Sequence, residues 1–218
     1  MILALDTTSE FGSIALLDAG SVADDVLLHS PDGFGHLLFD QIARILDRHG
    51  VRVQDVECFA AASGPGSFTG VRIGLTAVKG LAEMTGKRVA AVSNLQALAL
   101  YGTGDLRPVV VDARRGEIYG AVYDRDLNLC SPEVVMKFPD WLRSLPSKAT
   151  ELISNNPAPF APFAPSLTIV TAPRALAGAV GQIAWKRMRD GTTSDPADVD
   201  ANYVRRPDAE LLFSAPRP

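Results

Sequence analysis

The sequence predicts an α/β protein built from two like halves, and three observations carry that prediction. Short apolar strands alternate with helical segments in the order β-β-β-α-β-α-β-α through the first half of the chain. A hairpin pattern then occurs a second time. An apolar strand ends in Asp, a polar turn follows, and a second strand ends in Asp twelve residues later, at Asp6 and Asp18 and again at Asp112 and Asp124. Finally, 218 residues with 47% hydrophobic content suit one large domain or two small ones with a real core. Any two hairpins look alike at this level, so chance resemblance stands beside duplication.

The elements follow in order. Residues 2–6 read as a buried strand, 12–18 as a second and 24–29 as a third. A helix is predicted over Phe34 to His49, closed by Gly50. Residues 56–63 form a strand that leads into Ser63-Gly64-Pro65-Gly66-Ser67-Phe68-Thr69-Gly70, and a helix runs from Val71 to Met84. A strand over 88–92 and a short helix over 94–101 complete the first half. Gly102-Thr103-Gly104-Asp105 marks the boundary, giving domains 1–104 and 105–218. In the second half, strands are read at 109–112, 118–124 and 152–154, with a polar turn over 113–117 and helices at 139–145 and 174–190. The four prolines of 157–165 make that segment a loop. The tail from Gly191 is polar and then carries Tyr203-Val204-Arg205-Arg206.

The glycine turn admits three readings. A P-loop requires Lys after its last glycine, and here that residue is Val71. A dinucleotide fingerprint requires its third glycine one place before Gly70, and the next strand ends in Ser93 and Asn94, without an acid for a ribose. Structurally, the glycines let the helix pack tightly, with Ser67 or Thr69 as its cap. A nucleophilic role for Ser67 stands beside these, although G-P-G-S-F is not a G-x-S-x-G elbow.

Two helices carry more apolar surface than one sheet needs. On the first, Phe34, Leu37, Leu38, Phe39, Ile42, Ala43, Ile45 and Leu46 cover roughly 240° of the circumference, against a stripe of about 100° for one packed face. On the second, Arg72, Thr76, Lys79 and Glu83 form a narrow polar stripe, while Gly70, Gly74 and Ala77 line a side where another backbone could approach closely. The surplus predicts either burial within the chain's own fold or a helix seam with another subunit. In the seam reading Leu38, Ile42, Ile45, Val71, Leu75 and Val78 carry the apolar contact, with Gln41, Arg72 and Lys79 beside them. Ile42→Asp should then abolish pairing while leaving the monomer folded.

Little points to catalysis or to a direct nucleic-acid role. The net charge is −4 and the pI about 5.4, a poor balance for binding RNA alone. The histidines are His29, His36 and His49, and no two are four residues apart as a helical metal pair would be. His36 and Asp40 form one i, i+4 pair, read as a surface hydrogen bond. Two cysteines, Cys58 and Cys130, fit a reducing compartment. The apolar start is too short for a signal peptide and no run would span a bilayer, so a soluble, cytoplasmic chain is expected. Asp6, Thr7 and Thr8, with Arg114 and Arg115 on the repeated hairpin, are the candidate nucleotide contacts. Ala113-Arg114-Arg115-Gly116 is nevertheless bulky for a phosphate turn.

Asp6-Thr7-Thr8, Ser63-Gly64-Pro65-Gly66-Ser67-Phe68-Thr69-Gly70-Val71-Arg72-Ile73-Gly74, Asp112-Ala113-Arg114-Arg115-Gly116-Glu117-Ile118-Tyr119 and Tyr203-Val204-Arg205 together resemble the bacterial TsaB (YeaZ) family. The resemblance covers nearly the whole chain. It implies the actin/Hsp70/sugar-kinase (ASKHA) fold, with two ribonuclease-H-like lobes, mixed sheets and a degenerate second lobe. It implies a non-catalytic subunit that pairs with the catalytic paralogue TsaD and the ATPase TsaE. Together these transfer threonylcarbamoyl to the adenosine beside the anticodon of tRNA. The complex then needs ATP, Mg and a metal held by the TsaD-like partner, while this subunit alone binds no cofactor and catalyses nothing. The resemblance further implies that the helices matching residues 34–49 and 70–84 form the dimer seam, which makes a homodimer the expected state of the chain alone. An active ASKHA-type ATPase or small-molecule kinase, and a glycoprotease-like peptidase, are the alternatives.

Overall fold

The computed structural model describes residues 1–205. Arg206 and the remainder of the tail lie outside the described residues. Two five-stranded mixed sheets form the frame. The first contains β1 (Ile2–Asp6), β2 (Phe11–Asp18), β3 (Ser21–His29), β4 (Cys58–Ala62) and β5 (Arg88–Val92), in the order β3-β2-β1-β4-β5. The second contains β6 (Leu106–Arg114), β7 (Glu117–Asp124), β8 (Leu129–Met136), β9 (Glu151–Ser154) and β10 (Thr168–Thr171), in the order β8-β7-β6-β9-β10. Each sheet is an antiparallel meander of three strands extended by two parallel ones. The repeated hairpin therefore reflects a repeated lobe, and the fold is α/β, ASKHA-like, with two ribonuclease-H-like units.

The first sheet is covered on both faces, which is why β1 and β4 are continuous apolar runs. Leu3, Leu5, Ile14, Leu16 and Phe59 face α1 (Leu38–Arg48) and α2 (Phe68–Thr85). Ile2, Ala4, Ala15, Leu17, Cys58 and Ala60 face α5 (Ala177–Arg189). That helix follows β10 in the chain yet packs on β1, β2 and β4. Gly181 permits the approach: a Cβ there would lie 2.1 Å from Leu17 Cδ1. In the same middle layer, α3 (Asn94–Ala99) packs Leu95 and Leu98 against Val109, Ala121 and Ile153 of the second sheet. The far face of that sheet is closed by α4 (Phe138–Ser144) and by Phe160.

Several boundaries differ from the sequence reading. The first helix begins at Leu38 rather than Phe34, because Gly33, at φ +91°, and Gly35 disfavour a helical first turn. Phe34 instead closes over Gly12. The second helix begins three residues early, at Phe68, with Ser67 as its cap; Gly70 N donates to Ser67 Oγ at 3.2 Å. It ends at Gly86, in the left-handed region at φ +66°. Strands β8 and β10 escape the sequence reading. Both are sheet edges; β8 contains Pro132 and β10 is short.

Candidate docking face and interlobe cleft

The glycine turn is held from within. Ser67 N donates to Thr8 O at 2.7 Å, Gly64 N to Asn94 Oδ1 at 2.9 Å and Asn94 N to Gly64 O at 2.8 Å. A Cβ at Gly70 would lie 1.9 Å from Thr7 O, and one at Gly74 would lie 2.6 Å from Thr7 Oγ1. The close backbone on this side of α2 thus belongs to the chain's own β1–β2 turn. The expectation of a close backbone at Gly70 is met from within the chain. Ser67 Oγ serves as a helix cap, while His29 stacks on Phe11 and His49 binds Asp24. Asp40 pairs with Arg44 at 2.8 Å, in place of the expected His36.

A cleft of about 630 Å³ opens between the lobes, where the two hairpin turns face each other. Asp6, Thr8, Arg114 and Arg115 all line it, with Arg174 and Arg205. The two turns share one device: Asp6 Oδ1 accepts from Thr8 N at 2.9 Å, and Asp112 Oδ1 from Arg114 N at 2.8 Å. Thr7 does not line the cleft; its hydroxyl donates to Gly70 O at 2.7 Å. Thr8 Oγ1 donates to Asp6 and accepts from Asn94 Nδ2 at 2.6 Å. The Thr7 hydroxyl and the Thr8 amide and hydroxyl are therefore already engaged within the chain. Burial pushes the Asp6 carboxyl above its ordinary range, against the hydrogen bonds from Thr8 and Asn94. Among the described residues, no cluster of three or more His, Cys, Asp and Glu is arranged to hold a metal.

A second depression, of about 430 Å³, lies between the start of α1 and the first turns of α2. Gly35, Phe39, Phe68, Arg72, Ile73 and Thr76 form its outer part. Phe39 is 58% exposed and Phe68 43%. The six apolar residues assigned to a seam are placed otherwise. Leu38, Ile42, Ile45, Val71, Leu75 and Val78 are buried in the chain's own core against the first sheet. Helical periodicity gives the size of the apolar arc but not which part of it faces the sheet. Of the flanking polar residues, Gln41 is half-buried, Arg72 lies over the Phe68 ring at 3.8 Å, and Lys79 Nζ donates to Val199 O at 2.9 Å.

A family profile described as TsaD, tRNA N6-adenosine threonylcarbamoyltransferase, matches residues 35–178. The chain belongs to this family. TsaB proteins are among its relatives. It is 33% identical over 153 residues to the tRNA threonylcarbamoyladenosine biosynthesis protein TsaB of Bacillus subtilis, covering 67% of this chain and 66% of that one. To TsaB of Escherichia coli it is 37% identical over 131 residues, covering 58% and 56%. These matches span a little over half to about two thirds of the curated relatives' length. YeaZ from Pseudomonas aeruginosa superimposes with a TM-score of 0.76 at 25% identity, over 93% of this chain and 98% of that one. The chain is thus a TsaB/YeaZ member.

In this TsaB/YeaZ member the sequence reading misses one structural feature beside both sites, a strap over residues 199–205. Tyr203 stacks on Phe68 with ring centroids 5.4 Å apart, and its hydroxyl accepts from Arg72 Nε at 2.9 Å. Arg205 donates to Ala113 O at 2.9 Å and to Glu117 Oε2 at 2.5 Å. The motif Tyr203-Val204-Arg205 was the available signal, but its partners lie far away in sequence.

Proposed function

We propose that this chain is a non-catalytic scaffold subunit for threonylcarbamoyl transfer to tRNA, pairing with a TsaD-like catalytic paralogue through the outer faces of α1 and α2. The TsaB relatives and the TsaD-family profile support the pathway. The observation that carries the docking reading is the groove, where Phe39, Phe68 and Ile73 present apolar surface beside Arg72. An aromatic pair with an arginine on its rim is a common composition for an interface anchor. In the assembly a TsaE-like ATPase joins the pair and tRNA is held through the complex. ATP, Mg and the partner's metal supply the chemistry, and this chain contributes surface and orientation. Alone, it pairs with a second copy through the same face.

Co-purification and titration with the TsaD-like paralogue test the proposal. Phe39→Asp should weaken pairing by about 2 kcal/mol, roughly 30-fold, while the chain stays folded. Undiminished pairing would reject this face. Calorimetry with ATP and Mg on the isolated chain tests the other half: turnover without the paralogue would reject the scaffold reading.

A further inference from the structure

The groove and the cleft share a wall. From Val199 the chain runs along α2 and past the glycine turn to the second hairpin. Asn202 N donates to Ser63 O at 2.7 Å, and its amide donates to Glu133 Oε2 on β8 at 2.5 Å. Glu133 also accepts from Tyr123 OH at 2.6 Å and from Ser93 Oγ at the head of α3. Tyr203 then lies on Phe68 and Arg72, which line the groove. Two residues further, Arg205 grips Ala113 and Glu117 beside Tyr119, at the mouth of the cleft. A segment of four residues thus ties the first lobe to both β8 and the β6–β7 turn.

We propose that this strap couples partner docking to the interlobe cleft. A partner seated on the Phe68–Arg72 end of the groove holds Tyr203 down and so keeps Arg205 clamped on the second hairpin. The proposal rests on the groove being the docking face. The physical basis is a two-state segment, seated or lifted. Its seated form presents a Tyr203 ring that is 41% exposed and open to direct contact. A ligand shifts such an equilibrium only by contacting one state better than the other, and Tyr203 supplies that differential contact. The coupling is reciprocal, so loosening the clamp weakens docking although the clamp does not touch the groove. Arg114 and Arg115, with φ of 64° and 58°, form the hairpin tip that Arg205 steadies.

Hydrogen exchange on the full chain, free and bound to the TsaD-like paralogue, tests this. In the wild type, binding should slow exchange at amides 113–117 as well as at the start of α2. In Tyr203→Ala the slowing at 113–117 should vanish while that at α2 persists. Arg205→Ala should weaken docking by about 5- to 20-fold. Unchanged exchange at 113–117 in the wild type, or the same slowing in Tyr203→Ala, overturns the coupling and leaves the docking face intact. Binding that protects neither α2 nor the groove overturns the docking face itself.

Discussion

The two lobes share a strand order and differ in what joins their parallel strands. In the first lobe, β4 and β5 are joined by α2, 18 residues long and entered through the glycine turn. In the second, β9 and β10 are joined by a proline-rich segment with only a single 3-10 turn at Ala161–Phe163. Proline lacks the amide that a helix interior uses, so the second connection cannot form the same helix. Phe160, Phe138 and Trp141 fill the space instead. The lesson concerns division of labour. The lobe with the helix pair exposes Phe39 and Phe68 on the face proposed for docking, and the lobe without a second helix turns its hairpin toward the cleft.

The largest expected effect tests whether α1 and α4, the corresponding first helices, are both core elements. Ile42 on α1 is 4% exposed, so Ile42→Asp should cost about 3–5 kcal/mol by burying an unpaired charge. This replaces the expectation that the variant stays folded and merely fails to pair. On α4, Trp141 packs over Gly120, where a Cβ would lie 2.5 Å from its ring, and Trp141→Ala should cost about 3 kcal/mol or more. Urea denaturation monitored by circular dichroism measures both. A folded Ile42→Asp chain with an unshifted midpoint would return this residue to the docking face.

A glycine packed against the first hairpin turn and one within the second separate the lobes next. Gly70→Ala drives a methyl into Thr7 O, a backbone atom that cannot rotate away, and should cost about 3 kcal/mol. Gly116 in the second hairpin has φ +75° with nothing near its Cβ position, so Gly116→Ala bears only the left-handed backbone penalty of about 1 kcal/mol. Thermal melts of the two variants should differ accordingly. Equal shifts would mean that the first turn is looser than its contacts imply.

These contacts also show what the sequence discloses. β1 and β5 are legible to the residue, because each is a short, mostly apolar run bounded by turn or helix signals. The duplication is legible in the Asp6 and Asp112 turns, which bring Asp6, Thr8, Arg114 and Arg115 to one cleft. The excess apolar surface of the helices is legible as an amount. Its direction is not: Leu38, Ile42 and Ile45 face inward and Phe39 outward, which only the position of the sheet decides. The neighbour of Gly70 is Thr7, at a sequence separation of 63, and local spacing cannot name it. The strap is short and aperiodic, and its contacts are set by tertiary structure alone.

The smallest effect compares the paired aspartates. Burial raises the folded-state pKa of Asp6 above the ordinary 3.8. Between 3.8 and that raised value the folded state therefore binds more protons than the unfolded state, and stability falls as pH rises through the window. Asp6→Asn keeps the acceptor for Thr8 N and Thr8 Oγ1 and removes the charge. Relative to wild type, the variant should gain stability as pH rises from about 4. Asp112 holds the matching turn but is half exposed, so Asp112→Asn should change stability by no more than about 0.5 kcal/mol. Denaturation midpoints at pH 4 and pH 7 check both. A pH-dependent gap for Asp6→Asn would mean that the first turn holds its carboxyl in low-dielectric surroundings, whereas a flat response would place the cleft floor in contact with bulk water.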